Sequence, residues 1–298
     1  MPENQRQAGS EQVLPPGLYL VATPIGNLED ITLRALRVLR SVERIACEDT
    51  RQTQKLLNYY GIATATLSLH EHNEAGRTSE LIADLLGGAR IAVVSDAGIP
   101  GISDPGIFLT RAAITAEIPV SVIPGANAAL TALVASGLNT ERFFFLGFLP
   151  PKTTARRSDL EKVKAGINQP TTLIFYEAPH RIVETLGDIE RVWGADCKVV
   201  IARELTKIHE EFLRGTVAEV REALSQRDRI RGEMVLLVEA VPQIGEDARN
   251  DIGVQQRIQQ LRDTQGLDEM EALKRIARER GVSKSEVYRQ LQRERAPK

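Results

Sequence analysis

Short apolar runs alternating with amphipathic segments leave this chain few folds to choose from. Gly17–Ala22 (GLYLVA), Ile45-Ala46-Cys47, Ile91–Val94 (IAVV) and Val120–Ile123 (VSVI) are the length and type of buried strands, with a weaker strand over 66–69. Between them, residues 32–39, 52–60, 77–86 and 106–116 have helical patterning. In the first of these, Leu33, Leu36 and Leu39 share one face. Strands separated by helices can pair side by side only through crossovers, so this half predicts an α/β domain with a largely parallel sheet.

The pattern resumes after Pro124-Gly125. A helix is expected over 126–136, strands over 143–146, 171–176, 199–202 and 234–238, and a helical spacer over 181–192. This describes a second α/β domain. The polar stretch QIGEDARN (243–250) reads as a linker. Beyond it, 270–280 and 284–292 make two short amphipathic helices around Gly281-Val282-Ser283, the outline of a small helix-turn-helix module. The expected organisation is therefore a disordered tail (1–16), an N-terminal α/β domain (17–124), a second α/β domain (125–242), and a linker with a C-terminal helical module (243–298).

Composition removes several classes. At 298 residues, 42% hydrophobic and 26% charged, the chain can bury sizeable cores and is neither collagen-like nor a disulfide scaffold. With 4% aromatic residues, those cores must rest on Leu, Ile, Val and Ala. Cys47 and Cys197 stand far apart with no CxxC spacing, which argues for two reduced thiols and against structural zinc or any other metal site. No run of 18 apolar residues occurs, and MPENQRQAGSEQVLPP lacks a signal-peptide core, so a soluble, cytoplasmic protein is expected. The net charge of −2 conceals a basic tail: residues 251–298 carry 11 Lys and Arg against 8 Asp and Glu.

In open α/β sheets, ligands bind beyond the carboxyl ends of the strands, where this sequence is most unusual. SDAGIPGISDPG (95–106) follows a strand and packs three glycines, two prolines and two aspartates into twelve residues. Glycine lets backbone approach a ligand and proline stiffens the loop. The loop contains neither GxGxxG nor GxxxxGK[ST], so dinucleotide and P-loop readings fail. Its carboxylates suit a cationic or hydroxyl-rich small molecule. ATPIGNL (22–28) and IPGANAAL (123–130) are weaker signals of the same kind, the latter placing a helix N-terminus after a tight turn.

Together with ACEDTRQT (46–53), HEHNE (70–74), FFLGFLP (144–150), FYEAPHR (175–181), ARELTKIHEE (202–211) and RGEMVLLVE (231–239), these strings closely resemble the tetrapyrrole methylase superfamily. The resemblance covers roughly residues 17–240, and within the superfamily it is to the ribosomal branch of small-subunit rRNA (cytidine-2′-O)-methyltransferases. It implies two α/β domains with S-adenosylmethionine in the cleft between them, methyl transfer to a cytidine ribose near the decoding centre, and a homodimer acting on the small ribosomal subunit. Carried over by position, it implies cofactor contacts at Pro24, Asp96, Ala97, Gly98, Ile102, Asn127, Ala128, Glu177 and Leu205. The tetrapyrrole branch usually carries a GGDP-like string where this chain has SDAGIP, a departure that speaks against a tetrapyrrole substrate.

A ribose hydroxyl is a poor nucleophile while protonated, so a general base or a nearby cation is expected. Asp49, His72 and Glu74 lead the candidates, because they sit in loops predicted beyond the same sheet edge as the glycine-rich loop. Asp49 is equally suited to cap the helix after it. His72 is equally suited to hydrogen-bond a loop, and Glu177, also a candidate base, has cofactor binding as its simpler role. For RNA phosphates, Arg51, Arg181 and Lys207 are the expected substrate contacts. Lys55, Lys152, Arg156-Arg157 and the basic tail stand behind them. The rival functions are C-methylation of a tetrapyrrole and a non-catalytic RNA- or ribosome-associated factor.

Overall fold

The computed structural model describes residues 14–70, 73–242, 253–280 and 282–295. Strands β1 (Gly17–Val21), β2 (Arg44–Cys47), β3 (Ala65–Ser68), β4 (Arg90–Val94) and β5 (Val120–Ile123) form a parallel sheet in the order β3-β2-β4-β1-β5. Helices α1 (Leu33–Ser41), α2 (Thr50–Tyr59), α3 (Glu74–Leu86) and α4 (Ile107–Thr115) lie between successive strands in the chain. Side chains alternate across a strand, so neighbours enter different cores. Tyr19, Val21, Ile45 and Val94 pack with Leu36 and Leu39 of α1. Leu18, Ala46, Ile91 and Val93 pack with Leu81 of α3 and Leu109 of α4. With both faces covered, the strands read as continuous apolar runs.

The second sheet is mixed. It contains β6 (Phe143–Phe148), β7 (Thr171–Glu177), β8 (Lys198–Arg203), β9 (Glu211–Thr216) and β10 (Met234–Ala240), in the order β6-β7-β10-β8-β9. β6 pairs parallel with β7, and the remaining pairs are antiparallel. Its helices are α5 (Ala128–Ser136), α6 (Thr153–Gly166), α7 (Ile182–Trp193) and α8 (Val217–Ser225). The sequence pattern did not reveal α6, β9 or α8. The physical reason is plain for two of them: α6 buries only Arg156 and Leu160, and β9 is an edge strand with no fully buried position.

Ala129, Ala132 and Leu133 of α5 pack on Ile174, Val200, Val235 and Leu237 of the second sheet, and Ile25 from the loop after β1 joins that core. Both sheets accordingly fall in one compact unit, made of the described residues up to Gly166 together with Pro170–Ala240. The other unit consists of Ile167–Gln169 and the described residues from Val241 onward. It holds three helices where the sequence pattern suggested two: α9 (Val254–Gln265), α10 (Glu269–Glu279) and α11 (Lys284–Arg295). Val254, Ile258 and Leu261 give α9 an apolar stripe that meets Leu273, Ile276, Val287 and Leu291. A capping box between Asp268 and Glu271 starts α10. Glu294 accepts from the amides of Val254 and Gln255 at 2.8 Å each, capping α9 from the far end of α11. Most of the expected tail and the whole expected linker lie outside the described residues.

The fully buried Arg156 is explained by α7. Its Nε donates to Asp188 at 2.7 Å, and Arg157 donates to the other oxygen of the same carboxylate at 2.5 Å. Neither arginine of this pair is thus a free cation for RNA. Removing one partner of a buried ion pair strands the other charge, a loss of about 3–5 kcal/mol. Asp188→Ala is expected to destabilise the protein by about that amount, read as a lower denaturant midpoint.

Candidate functional site

The site begins with a short backbone bridge. The Thr23 amide donates to the Gly98 carbonyl at 2.9 Å, and the Gly98 amide donates back to Thr23 at 3.1 Å. The Thr23 hydroxyl donates to Ser95 O at 3.0 Å, and the Ser95 hydroxyl donates to Gly98 O at 3.1 Å. Two loops leaving the adjacent strands β1 and β4 are thereby locked together, with Gly98 in the left-handed region at φ +87°, a conformation that favours glycine.

Against this bridge lies a cleft of about 420 Å³, within the range of ligand sites. Ile25, residues 96–99 and residues 102–104 line its first side, and Asn127 and Ala128 at the start of α5 continue it. The second sheet contributes Phe148, residues 176–179, Ala202, Leu205 and residues 232–235. The walls are mostly apolar, with carboxylates on the loop side.

Eight of the nine expected cofactor residues meet there: Asp96, Ala97, Gly98, Ile102, Asn127, Ala128, Glu177 and Leu205. Pro24 is buried between Thr23 of the bridge and the lining residue Ile25. Their side chains are not equally available. Asn127 Oδ1 accepts from Leu130 N at 2.9 Å, capping α5. The buried Glu177 carboxylate accepts from Ala178 N at 2.8 Å and from the Thr185 hydroxyl at 2.6 Å, and it pairs with Arg181 Nε at 3.2 Å. Glu177 therefore borders the cleft with a carboxylate already met by donors.

The three expected bases fare differently from one another. Glu74 is buried, and its Oε1 accepts from the amides of Gly106 at 3.0 Å, Phe108 at 3.1 Å and Leu109 at 3.4 Å. These are the open donors at the start of α4, where a carboxylate is stabilised by the helix dipole. In the structure Glu74 acts as a helix cap. Asp49 caps α2 through Arg51 N at 2.8 Å and forms a two-pronged pair with the Arg51 side chain at 3.0 and 3.1 Å. The Arg51 hydrogen bond holds its carboxyl below the usual range, which makes it a weak base. Its amide instead donates to Asp96 Oδ1 at 3.2 Å. His72 lies outside the described residues.

Of the expected phosphate contacts, only Arg51 keeps an open side chain, 87% exposed. Arg181 Nη2 donates to the carbonyls of Leu149 at 2.8 Å and Pro150 at 3.3 Å. Lys207 pairs with Glu204 at 2.9 Å and Glu233 at 3.0 Å. Both side chains pin loops beside the cleft. In the Lys207 loop, Glu204 and Thr206 have φ of +52° and +65°, so the ion pairs hold strained backbone beside the cleft.

Three features of the cleft were not singled out from the sequence, Tyr176, Phe148 and the segment 232–235, and Asp104 was given no role apart from Asp96. Desolvation, then the charges of Glu48 and Asp96, push the Asp104 carboxyl up to about 6. Burial, and then Asp104, raise Tyr176. Asp96 is also raised, by burial first and by Asp49, against its hydrogen bond from the Asp49 amide. The available signal was the second aspartate of SDAGIPGISDPG, but a loop sequence does not reveal which carboxylate faces inward. Among the described residues no group of three or more His, Cys, Asp or Glu is arranged to hold a metal ion.

Comparison with known proteins sets the class first. The sequence pattern of the tetrapyrrole (corrin/porphyrin) methylases matches residues 17–221. Among solved structures, diphthine synthase superposes with a TM-score of 0.58 at 16% identity, over 75% of this chain and 89% of that one. A uroporphyrin-III C-methyltransferase from Thermus thermophilus, complexed with S-adenosyl homocysteine, gives 0.54 at 16%, over 75% and 97%. Both show the shared fold. The ribosomal RNA small subunit methyltransferase I of Halalkalibacterium halodurans is 49% identical over 282 residues, covering 91% of this chain and 93% of the relative. That of Bacillus subtilis is 44% identical over 275 residues, covering 91% and 92%. The chain belongs to the ribosomal RNA small subunit methyltransferase I group of the tetrapyrrole methylase family.

The capping role of Glu74 is testable without any substrate. Glu74→Gln retains an acceptor oxygen and is expected to keep the slow hydrogen exchange of the Gly106, Phe108 and Leu109 amides. Glu74→Ala is expected to lose that protection and about 1–2 kcal/mol of stability.

Proposed function

We propose that this protein transfers a methyl group from S-adenosylmethionine to the ribose 2′-oxygen of a cytidine in small-subunit ribosomal RNA, near the decoding centre. The observation that carries this reading is similarity of 42–49% identity, over 91% of the chain, to relatives named for small-subunit rRNA methylation. The resemblance of its loop strings to the ribosomal branch adds the cytidine ribose as acceptor. Tetrapyrrole methylation is not favoured: the uroporphyrin-III enzymes with this fold are only 16–22% identical.

The cleft suits the cofactor. Gly98 carries no side chain to obstruct the bridge, Ile25, Ala202, Leu205 and Val235 offer an apolar wall, and Asp96 complements a cation. Pro24, Asp96, Ala97, Gly98, Ile102, Asn127, Ala128 and Leu205 are assigned to hold it. Bound there, S-adenosylmethionine supplies a methyl group made electrophilic by its sulfonium. The chain's own residues then have to fix the acceptor in line and keep water out, and such positioning supplies much of a rate enhancement.

For the RNA, the exposed face of α2 presents Arg51 and Lys55 beside Gln54 and Asn58, lining a shallow groove. In the helical module, Lys274, Arg278, Arg289 and Arg293 are exposed. A modest set of phosphate contacts fits recognition of RNA by shape and backbone. A homodimer is supported by apolar side chains left in solvent on α4, α5 and the edge strand β6, among them Phe108, Ile114, Val134, Phe144 and Phe148. A cytoplasmic location is consistent with a ribosomal substrate, and no helix among the described residues is long and apolar enough to cross a membrane.

The test is transfer of tritiated methyl from S-adenosylmethionine to small subunits isolated from cells lacking the activity, with the label located by nuclease digestion and mass spectrometry. A 2′-O-methylated cytidine is expected, and cofactor binding without transfer to RNA would sink the reading. Removing residues 251–298 is expected to weaken RNA binding, and its salt dependence, more than cofactor binding.

A further inference from the structure

We propose that Asp104 is the residue that takes the proton from the acceptor hydroxyl, a catalytic role that rests on the methyl-transfer reading above. Most titratable side chains lining the cleft are already engaged. Glu177 is saturated by Ala178, Thr185 and Arg181. Glu233 is paired with Lys207. Asp96 accepts from the Asp49 amide. Tyr176 is a phenol whose pKa is raised. Asp104 alone among them faces the cleft with no described donor or cation on its carboxylate.

Its surroundings suit a base. The groups that face it are the carboxylates of Glu48 and Asp96 and the phenol of Tyr176. The Tyr176 ring also lies edge-on to Phe145 and Phe148, with centroids 4.9 and 5.6 Å away, forming an aromatic wall. An apolar wall and two like charges both favour the protonated form, so the carboxyl is lifted to about 6. A carboxylate with that affinity is mostly ionised at neutral pH yet holds a proton far better than an ordinary aspartate, the compromise general-base catalysis requires.

Its position is also fixed. Ser103, immediately before it, sits in the left-handed region at φ +61°. A Cβ at Gly147 would approach the Ser103 hydroxyl at 3.4 Å, so the loop rests closely on the irregular end of β6. Two residues after Asp104, the Gly106 amide is clamped by the Glu74 cap. Glu74 is thus a positioning residue for the loop that carries the base.

The chemistry balances without another reactant. The hydroxyl oxygen forms the new O–C bond with the methyl carbon, the C–S bond breaks with its electron pair remaining on sulfur, and the hydroxyl proton passes to Asp104 and then to water. Asp104 could instead serve only to attract the cofactor's cation. That role would appear in affinity rather than in rate.

The experiment uses the full-length protein, hypomethylated small subunits and saturating S-adenosylmethionine under single-turnover conditions. In the wild type, the rate is expected to fall about tenfold per pH unit below about 6. Asp104→Asn is expected to lose on the order of 10²–10⁴-fold in rate and to lose that pH dependence, with cofactor affinity by calorimetry within about threefold of wild type. Two readouts need no RNA. Carbon-13 titration of the Asp104 carboxyl should give a midpoint near 6. Because a raised carboxyl pKa penalises the ionised folded state above that midpoint, Asp104→Asn should unfold roughly 2–4 °C higher at pH 7.5, with the gain vanishing toward pH 4. A midpoint near 4, a near-wild-type rate in Asp104→Asn, or a loss confined to cofactor affinity overturns the proposal. A wild-type protein that methylates no RNA overturns the methyl-transfer reading itself, and this role with it.

Discussion

The reciprocal hydrogen bonds between Thr23 and Gly98 are the constraint on which the rest of the site depends. They tie together the loops leaving two adjacent parallel strands, whose carboxyl ends are the natural place for a ligand in an open sheet. Two residues beyond the bridge, Ile25 enters the core of the second sheet. The same short loop therefore shapes the ligand cradle and joins the two sheets in one body. Gly125 shows how little room is left nearby: a Cβ there would lie 2.8 Å from Ala22 Cβ.

Around this bridge the charged side chains divide by task. Glu74 holds the start of α4, Asp49 the start of α2, Glu177 the turn after β7, and Glu233 the lysine of the strained loop after β8. Each is a carboxylate met by donors, and each stiffens a segment bordering the cleft. Rigid surroundings are what positioning catalysis demands, since small displacements of a bound acceptor are costly in rate. Asp104 stands apart because no donor meets its carboxylate among the described residues.

Much of the architecture was legible because the driving forces are local and periodic. Strands buried on both faces read as Val/Ile/Ala runs, and α1 shows its apolar face at helical spacing. The elements that escaped have physical excuses. α6 is held by a buried arginine rather than an apolar stripe, and β9 lies at a sheet edge without a fully buried position. The antiparallel pairing of the second sheet could not be read either, because a hydrophobic run does not state its partner's direction.

The sequence by itself determined the fold class, the family and the loops that build the cleft, because glycine, proline and apolar periodicity act through backbone geometry close by in the chain. Only the tertiary structure decided which charges within those loops remain available. Glu74 meets amides 32 to 35 positions away, and Asp104 feels Glu48 and Asp96 from other segments of the chain. A carboxylate's role is set by donors and charges within a few ångströms in space, and chain folding brings those neighbours together from positions that no local pattern connects.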